Sequence, residues 1–170
     1  DTISFRTSST TPCTLRCAAD FMEAGASMAD VVQQAFESRP VPVVRLGGKV
    51  RRSFVISDGL VWATISREEM QEQGLKEDDV KGLVNVLRGT EGARVAVLIM
   101  EGNNGRVKVE FRSRGSVNVA HMAAALGGGG HPQASGCTIA GPLTDARARV
   151  LPMLLRVESD RSKVEGQPVA

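Results

Sequence analysis

The chain has 170 residues, 42% of them hydrophobic, enough for one well-filled core and a small appendage. A formal net charge of +2 does not call for a long duplex partner, and 4% aromatic residues with no Tyr leave few platforms for stacking a run of bases. Three cysteines, with neither a signal peptide nor an apolar stretch long enough to span a bilayer, point to a reduced cytoplasmic protein without a membrane role.

In chain order, Thr11 caps and Pro12 opens a helix carrying Leu15, Ala18, Ala19 and Met22 on one face, with Gly25 as its stop. Cys13 and Cys17 lie i, i+4 on it, and without the usual zinc spacing they read as packing residues. Ser27 and Asp30 start a second helix with Met28, Val32, Ala35 and Phe36, which ends before Pro40-Val41-Pro42. From Val43 to Arg52 the pattern is ambiguous, because Gly47-Gly48 weakens a helix; Lys49, Arg51 and Arg52 form a basic patch or, as we favour, a solvated face.

Residues 53–57 and 60–65 flank Asp58-Gly59, a dipeptide suited to the positive φ angles of a tight hairpin turn. Trp62 is read as a core residue, with stacking on a base as the alternative. Ser66 and Glu69 form a capping box for a short helix closed by Gly74. Glu77, Asp78 and Asp79 then begin a helix bearing Val80, Leu83, Val84 and Leu87, where the three carboxylates offset the helix dipole. The apolar run 93–100 predicts a strand buried on both faces near the middle of a sheet.

After the turn Gly102-Asn103-Asn104-Gly105, residues 107–114 alternate: Val107, Val109 and Phe111 face inward, and Lys108, Glu110, Arg112 and Arg114 face the other way. Two adjacent guanidiniums at a strand end can hold phosphate oxygens bidentately. Asn118 caps a short helix with Val119, Met122, Ala123 and Leu126 inward, which Gly127 ends. Gly127-Gly128-Gly129-Gly130-His131 follows, and four consecutive glycines are too unfavourable in chain entropy to lack a reason. Their N–H groups can converge into an anion-binding nest with His131 as a donor at its edge. An apolar strand around Cys137-Thr138-Ile139 comes next, with Cys137 read as packing rather than as a nucleophile. Pro142 opens a last helix with Leu143, Val150, Leu151, Leu154 and Val157, which Pro152 is expected to kink or end early. From Glu158 onward the chain is polar and patternless, as in a mobile tail.

Phe111-Arg112-Ser113-Arg114, Val117-Asn118-Val119 and Gly127-Gly128-Gly129-Gly130-His131-Pro132-Gln133-Ala134-Ser135-Gly136 together resemble the DHH-associated substrate-binding domain of the DHH phosphoesterases. Within that superfamily the chain looks most like the bacterial nanoRNases that are also phosphatases of phosphoadenosine phosphate. Asp79 to Arg88 is similar to the helix before their central strand, and Asp1-Thr2-Ile3-Ser4-Phe5-Arg6 with Ser9-Thr10-Thr11-Pro12 looks like the end of their catalytic domain. Ile3 stands where the family usually has glycine.

The resemblance implies an α/β fold: a mixed β-sheet of about five strands with helices packed on it, preceded by a helical connector. It divides the chain into residues 1–40, the end of the DHH catalytic domain plus connector; 41–157, the DHH-associated domain; and 158–170, the tail. It also implies hydrolysis of short oligoribonucleotides and 3′-phosphoadenosine 5′-phosphate. Arg112, Ser113, Arg114, Gly127, Gly128, Gly129, Gly130 and His131 would bind substrate, with general acid as the alternative role for His131. His121 reads as a packed or surface residue.

The family's Asp-His-His motif, which helps to hold a pair of divalent ions, usually manganese, does not occur; His121 and His131 are the only histidines. Asp1 matches the last metal-binding aspartate of the family and would act only in a longer protein that adds the missing N-terminal DHH domain. This chain alone is therefore expected to be inactive and to hold no metal. The alternatives are a non-catalytic nucleotide- or RNA-binding module, a cyclic-dinucleotide phosphodiesterase, and the related domain at the end of alanyl-tRNA synthetases. Association into a homodimer is left open by the sequence.

Overall fold

The alternation in residues 107–114 is realised as the strand β4 (Arg106–Ser113), whose Val107, Val109 and Phe111 are fully buried. The computed structural model describes residue 5 and residues 9–165, excepting the side chains of Phe36 and of residues 155–165. Asp1, with the rest of residues 1–4 and residues 6–8, lies outside the described residues, as do residues 166–170 of the expected tail. The chain divides into two units, residues 1–40 and 41–170.

In the first unit, α1 (Pro12–Glu23) starts as the sequence dictates: the Thr11 hydroxyl accepts from the Thr14 N–H at 3.2 Å, with proline at the first helical position. Ser27 caps α2 (Met28–Val32) by accepting from the Asp30 N–H at 3.2 Å, and the chain continues as a π-helical turn over Gln33–Glu37. No described residue of these elements is buried, and Leu15, Phe21, Met22 and Val31 are at least half exposed. The apolar stripe expected to face a core thus lacks one within its own unit.

The second unit is built on a six-stranded sheet in the order β1-β2-β3-β4-β6-β5. Its strands are β1 (Val55–Ser57), β2 (Leu60–Ile65), β3 (Val95–Glu101), β4, β5 (Gly129–His131) and β6 (Ala134–Ala140). β2 and β3 run parallel, and every other neighbouring pair is antiparallel. Asp58 (φ 48°) and Gly59 (φ 81°) form the β1–β2 turn. The central strand β3 is buried on both faces from Val95 to Met100. β5 is a strand the sequence does not announce, drawn from the glycine run.

Two apolar layers cover the sheet. On one face, Val97, Ile99, Val109, Phe111, Cys137 and Ile139 pack with Met122 and Ala123 of α6 (Ala120–Ala125) and with Ala146, Val150 and Leu154 of α7 (Leu143–Glu165). On the other, Val61, Ala63, Ile65, Ala96, Leu98 and Met100 pack with α3 (Val41–Ser53), with α4 (Arg67–Glu72) and with residues 80–87. β4, β5 and β6 contribute nothing to this second layer, a fact that positions the site.

Three local expectations are revised. Residues 43–52 are helical despite Gly47-Gly48; Gly47 is buried, and a Cβ there would touch Leu83 Cδ1 at 3.4 Å, so close packing replaces the lost propensity. The helix expected over residues 77–87 is instead a series of turns with bonds such as Leu83 N–H to the Val80 carbonyl (3.1 Å), and only α5 (Asn85–Arg88) is regular. Gly82, at φ 76°, breaks the helix while Val80, Leu83, Val84 and Leu87 remain buried. Finally, α7 runs through Pro152 to Glu165, so the early end expected at Pro152 does not occur.

Candidate functional site

The strand register brings Arg112 and His131 onto one face. Arg112 pairs with Ala134, and Ala134 with His131, so the three lie side by side across β4, β6 and β5. The next row is Glu110, Gly136 and Gly129; the third is Lys108 and Thr138. Directly paired residues share a face, so these groups occupy the helix-layer face beyond β3, where the apolar covering has ended. Between the basic side chains the floor is nearly bare: Ala134 and Gly136 are half-buried, and Gly129 and His131 are exposed.

The Arg112 guanidinium is anchored by Nη1, which donates to the Phe111 carbonyl at 2.9 Å, and the side chain is part-buried. Lys108 Nζ lies 3.3 Å from Glu110 Oε1; Glu110 is only 7% exposed, and its Oε2 has no hydrogen-bond partner within the protein. Asp78 and Lys81, 2.8 Å apart, stand near enough for the field of Lys108 to help lower the Asp78 carboxyl and that of Glu110 to help raise the Lys81 ammonium. In each case the first cause is the hydrogen bond between Asp78 and Lys81. Arg114 lies past the end of β4, exposed, with its N–H bound to the Arg94 carbonyl at 2.9 Å. The guanidinium expected beside Arg112 is thus carried by a segment that has left the sheet.

The glycines divide by task. The Gly127 N–H donates to the Ala124 carbonyl (3.0 Å) and the Gly128 N–H to the Ala123 carbonyl (2.8 Å), with Gly127 at φ 77°. This is a Schellman termination of α6, so these two amides are not available to an anion. A Cβ on Gly128 would overlap the Gly136 carbonyl, and one on Gly130 would fall 2.6 Å from the Ala134 carbonyl, so these two glycines let β5 lie against β6. Gly127 and Gly129 both have open space, with no atom within 4 Å of an added Cβ, but Gly127 is held at φ 77° in the helix cap, so Gly129 alone is a bare position on the strand floor. The expected four-glycine nest is corrected accordingly: two caps, two close backbone approaches that include one cap, and one bare floor position.

Ser113 is corrected too. It is 1% exposed and its hydroxyl donates to the Val117 carbonyl at 2.6 Å, with the Pro132 carbonyl at 3.3 Å. Its one proton is committed inside the protein, holding the 113–119 loop to the turn that carries His131. Ser135 acts alike, donating to the Val119 carbonyl at 2.7 Å. Trp62 belongs to the opposite face, packed on the α7 layer with the Arg147 guanidinium 5.7 Å from its ring centre, so it has no part in this site. His121 is exposed, with Nε2 3.4 Å from Asn118 Nδ2.

Cys137 is buried under the other face, and burial pushes its thiol up to about 11, against the nearby charge of Arg149; it is no nucleophile at neutral pH. The acidic trio has structural duties: Glu77 Oε1 accepts from the Asn103 N–H (2.7 Å), Asp79 from the Lys76 N–H (2.8 Å), and Asp78 pairs with Lys81. A cleft of about 210 Å³ lined by Arg67, Met70, Glu77 and Glu101 lies at the far end of β3, away from Arg112. Lys108 and Glu110 were given no role from the sequence, although the alternation that placed Arg112 placed them on the same face.

Among the described residues no three of His, Cys, Asp and Glu gather into a metal-binding group. The face itself is cationic, and its one buried carboxylate is paired with Lys108, a donor set that does not fit a divalent ion.

Residues 58–156 match the DHHA1 domain. The chain belongs to the DHHA1 domain family. It is similar to the bifunctional oligoribonuclease and PAP phosphatase NrnA of Thermus thermophilus, 36% identical over 152 residues, 89% of this chain and 45% of that protein. The protein of the same name from Bacillus subtilis is 30% identical over 140 residues, covering 82% of this chain and 44% of its own length. The chain therefore spans a little under half the length of the curated relatives it matches. In fold it resembles an exopolyphosphatase-related protein from Bacteroides fragilis (TM-score 0.82, 19% identity, 93% of this chain and 48% of that one). No described helix is long and apolar enough to cross a membrane.

Proposed function

We propose that this chain is the substrate-holding part of a phosphoesterase that hydrolyses short oligoribonucleotides and 3′-phosphoadenosine 5′-phosphate in the cytoplasm. One observation carries the reading: Arg112 and His131 flank Ala134 in a single row on the part of a sheet face beyond its apolar layer, beside the Gly129–Gly136 row that carries no side chain on β5 and β6. A guanidinium and an imidazole across a side-chain-free floor suit an anionic ester laid flat on the strands. Arg112 would hold a phosphate, His131 would donate to the same phosphate or to the adjoining sugar, and Arg114 would add charge at the rim.

The two NrnA relatives, whose names carry both activities, support the substrate class. In this reading the metals, manganese in the family the chain resembles, are held by the portion of those relatives that this chain does not span. Residues 12–40, with apolar side chains exposed, are the connector that packs against that portion.

The test is titration of the chain with diadenylate and with 3′-phosphoadenosine 5′-phosphate, followed by calorimetry or amide chemical shifts. Arg112→Ala should weaken both by about 1.5–3 kcal/mol, the range for a hydrogen bond to a charged group. Equal binding by variant and parent would remove Arg112, and with it this reading.

A further inference from the structure

We infer that Lys108 is a second phosphate-binding position that sets how long an oligoribonucleotide this face prefers, an inference that rests on the function proposed above. Lys108 and Arg112 lie on the same face of β4, four residues apart, which is about 13 Å along a strand. Each two-residue row is about 7 Å from the next. That step is comparable with the separation of successive phosphates in an extended nucleic-acid strand, so a ligand anchored at Arg112 passes one phosphate over the middle row and delivers another to Lys108.

The middle row is shaped for passage. Gly136 and Gly129 put no side chain above the sheet, and a Cβ at Gly129 would meet nothing within 4 Å. Glu110, the remaining member of that row, is buried, with Oε2 unpartnered and Oε1 3.3 Å from Lys108 Nζ. A buried carboxylate beside the ligand path holds the lysine in place and makes the middle row the least favourable seat for a phosphate. The face thus reads positive, negative, positive, and only a ligand with three consecutive phosphates gains from both ends.

The experiment compares 5′-phosphorylated diadenylate, with two phosphates, and 5′-phosphorylated triadenylate, with three, as ligands of the chain. Lys108→Ala should weaken the triadenylate about tenfold and the diadenylate less than twofold. In the same variant the salt dependence for the triadenylate should fall by about 0.7, the slope of one phosphate contact on a single strand. Lys108→Arg should restore the difference. The double variant Lys108→Gln with Glu110→Gln leaves no unpaired buried charge and should show the same length-selective loss. Equal weakening of both ligands, or of neither, would overturn the inference. Arg112→Ala run alongside separates the cases, since its failure to weaken either ligand would instead overturn the proposed function.

Discussion

A Cβ placed on Gly128 would overlap the carbonyl oxygen of Gly136 and fall 2.5 Å from Cys137 Cβ, whereas one on Gly129 would meet nothing within 4 Å. Neighbouring glycines in one run are therefore kept for opposite reasons, one for the protein's own packing and one for the space above the sheet. Gly128→Ala should destabilise the fold by about 1–3 kcal/mol or more, because backbone must give way. Gly129→Val should leave the melting temperature near the parent's and abolish nucleotide binding. Thermal melts with paired titrations check both; a Gly129→Val protein that binds normally would reduce this position to a connector.

Ser113 tests the scaffold beneath the site. Its hydroxyl is shared by the Val117 and Pro132 carbonyls; the Pro132 carbonyl also accepts from the Val119 N–H at 2.8 Å, so Ser113→Ala leaves the carbonyl of buried Val117 short of its donor. The expected loss is about 1–3 kcal/mol of stability in chemical denaturation. Binding should weaken only through looser placement of the turn bearing His131. Arg112→Ala should do the reverse, lowering affinity with little change in stability. If Ser113→Ala lowered affinity at unchanged stability, the hydroxyl would belong to the ligand after all.

These contrasts mark where the sequence is legible. Alternation in residues 107–113 determined both the buried face and the row of charges, because a strand's period of two leaves no freedom once Val107, Val109 and Phe111 are inside. The capping box at Ser66 and Glu69 and the turn at Asp58-Gly59 follow from local chemistry alone and appear as read. What local pattern cannot carry is pairing between distant segments. Gly129–His131 becomes a strand only because β6 lies beside it, and Gly128 must be bare only because Gly136 is its neighbour. The same holds for Ser113, whose hydroxyl looks available until the 117 and 132 carbonyls are brought to it.

Catalysis provides a third check. The proposed function assigns the metals to the portion of the relatives that this chain does not span, and under it the purified chain should bind diadenylate yet show no manganese-dependent hydrolysis of it. Chromatographic assay of the digest, with and without the metal, reads this directly. Sustained turnover by a homogeneous sample would place a complete reaction centre within these residues and refute the division of labour proposed for the longer protein.

Cys137 links the hydrophobic layer to pH. Burial raises its thiol from 9.0 to about 11, while Cys13 and Cys17 are exposed. A folded-state pKa above the unfolded one means that, in this window, the unfolded chain gives up a proton the folded chain keeps. The stability due to the neutral thiol is therefore complete below pH 9 and declines as pH rises towards about 11. With no Tyr in the chain, phenol titration does not complicate that window. Denaturant midpoints measured across it should fall more steeply for the parent than for Cys137→Ala, whose stability is lower throughout but flatter with pH. A thiol reagent at pH 8 should modify Cys13 and Cys17 promptly and Cys137 only on unfolding. Identical pH slopes in the two proteins, or prompt labelling of Cys137, would show that this sulfur is not sealed within the layer it shares with α6 and α7.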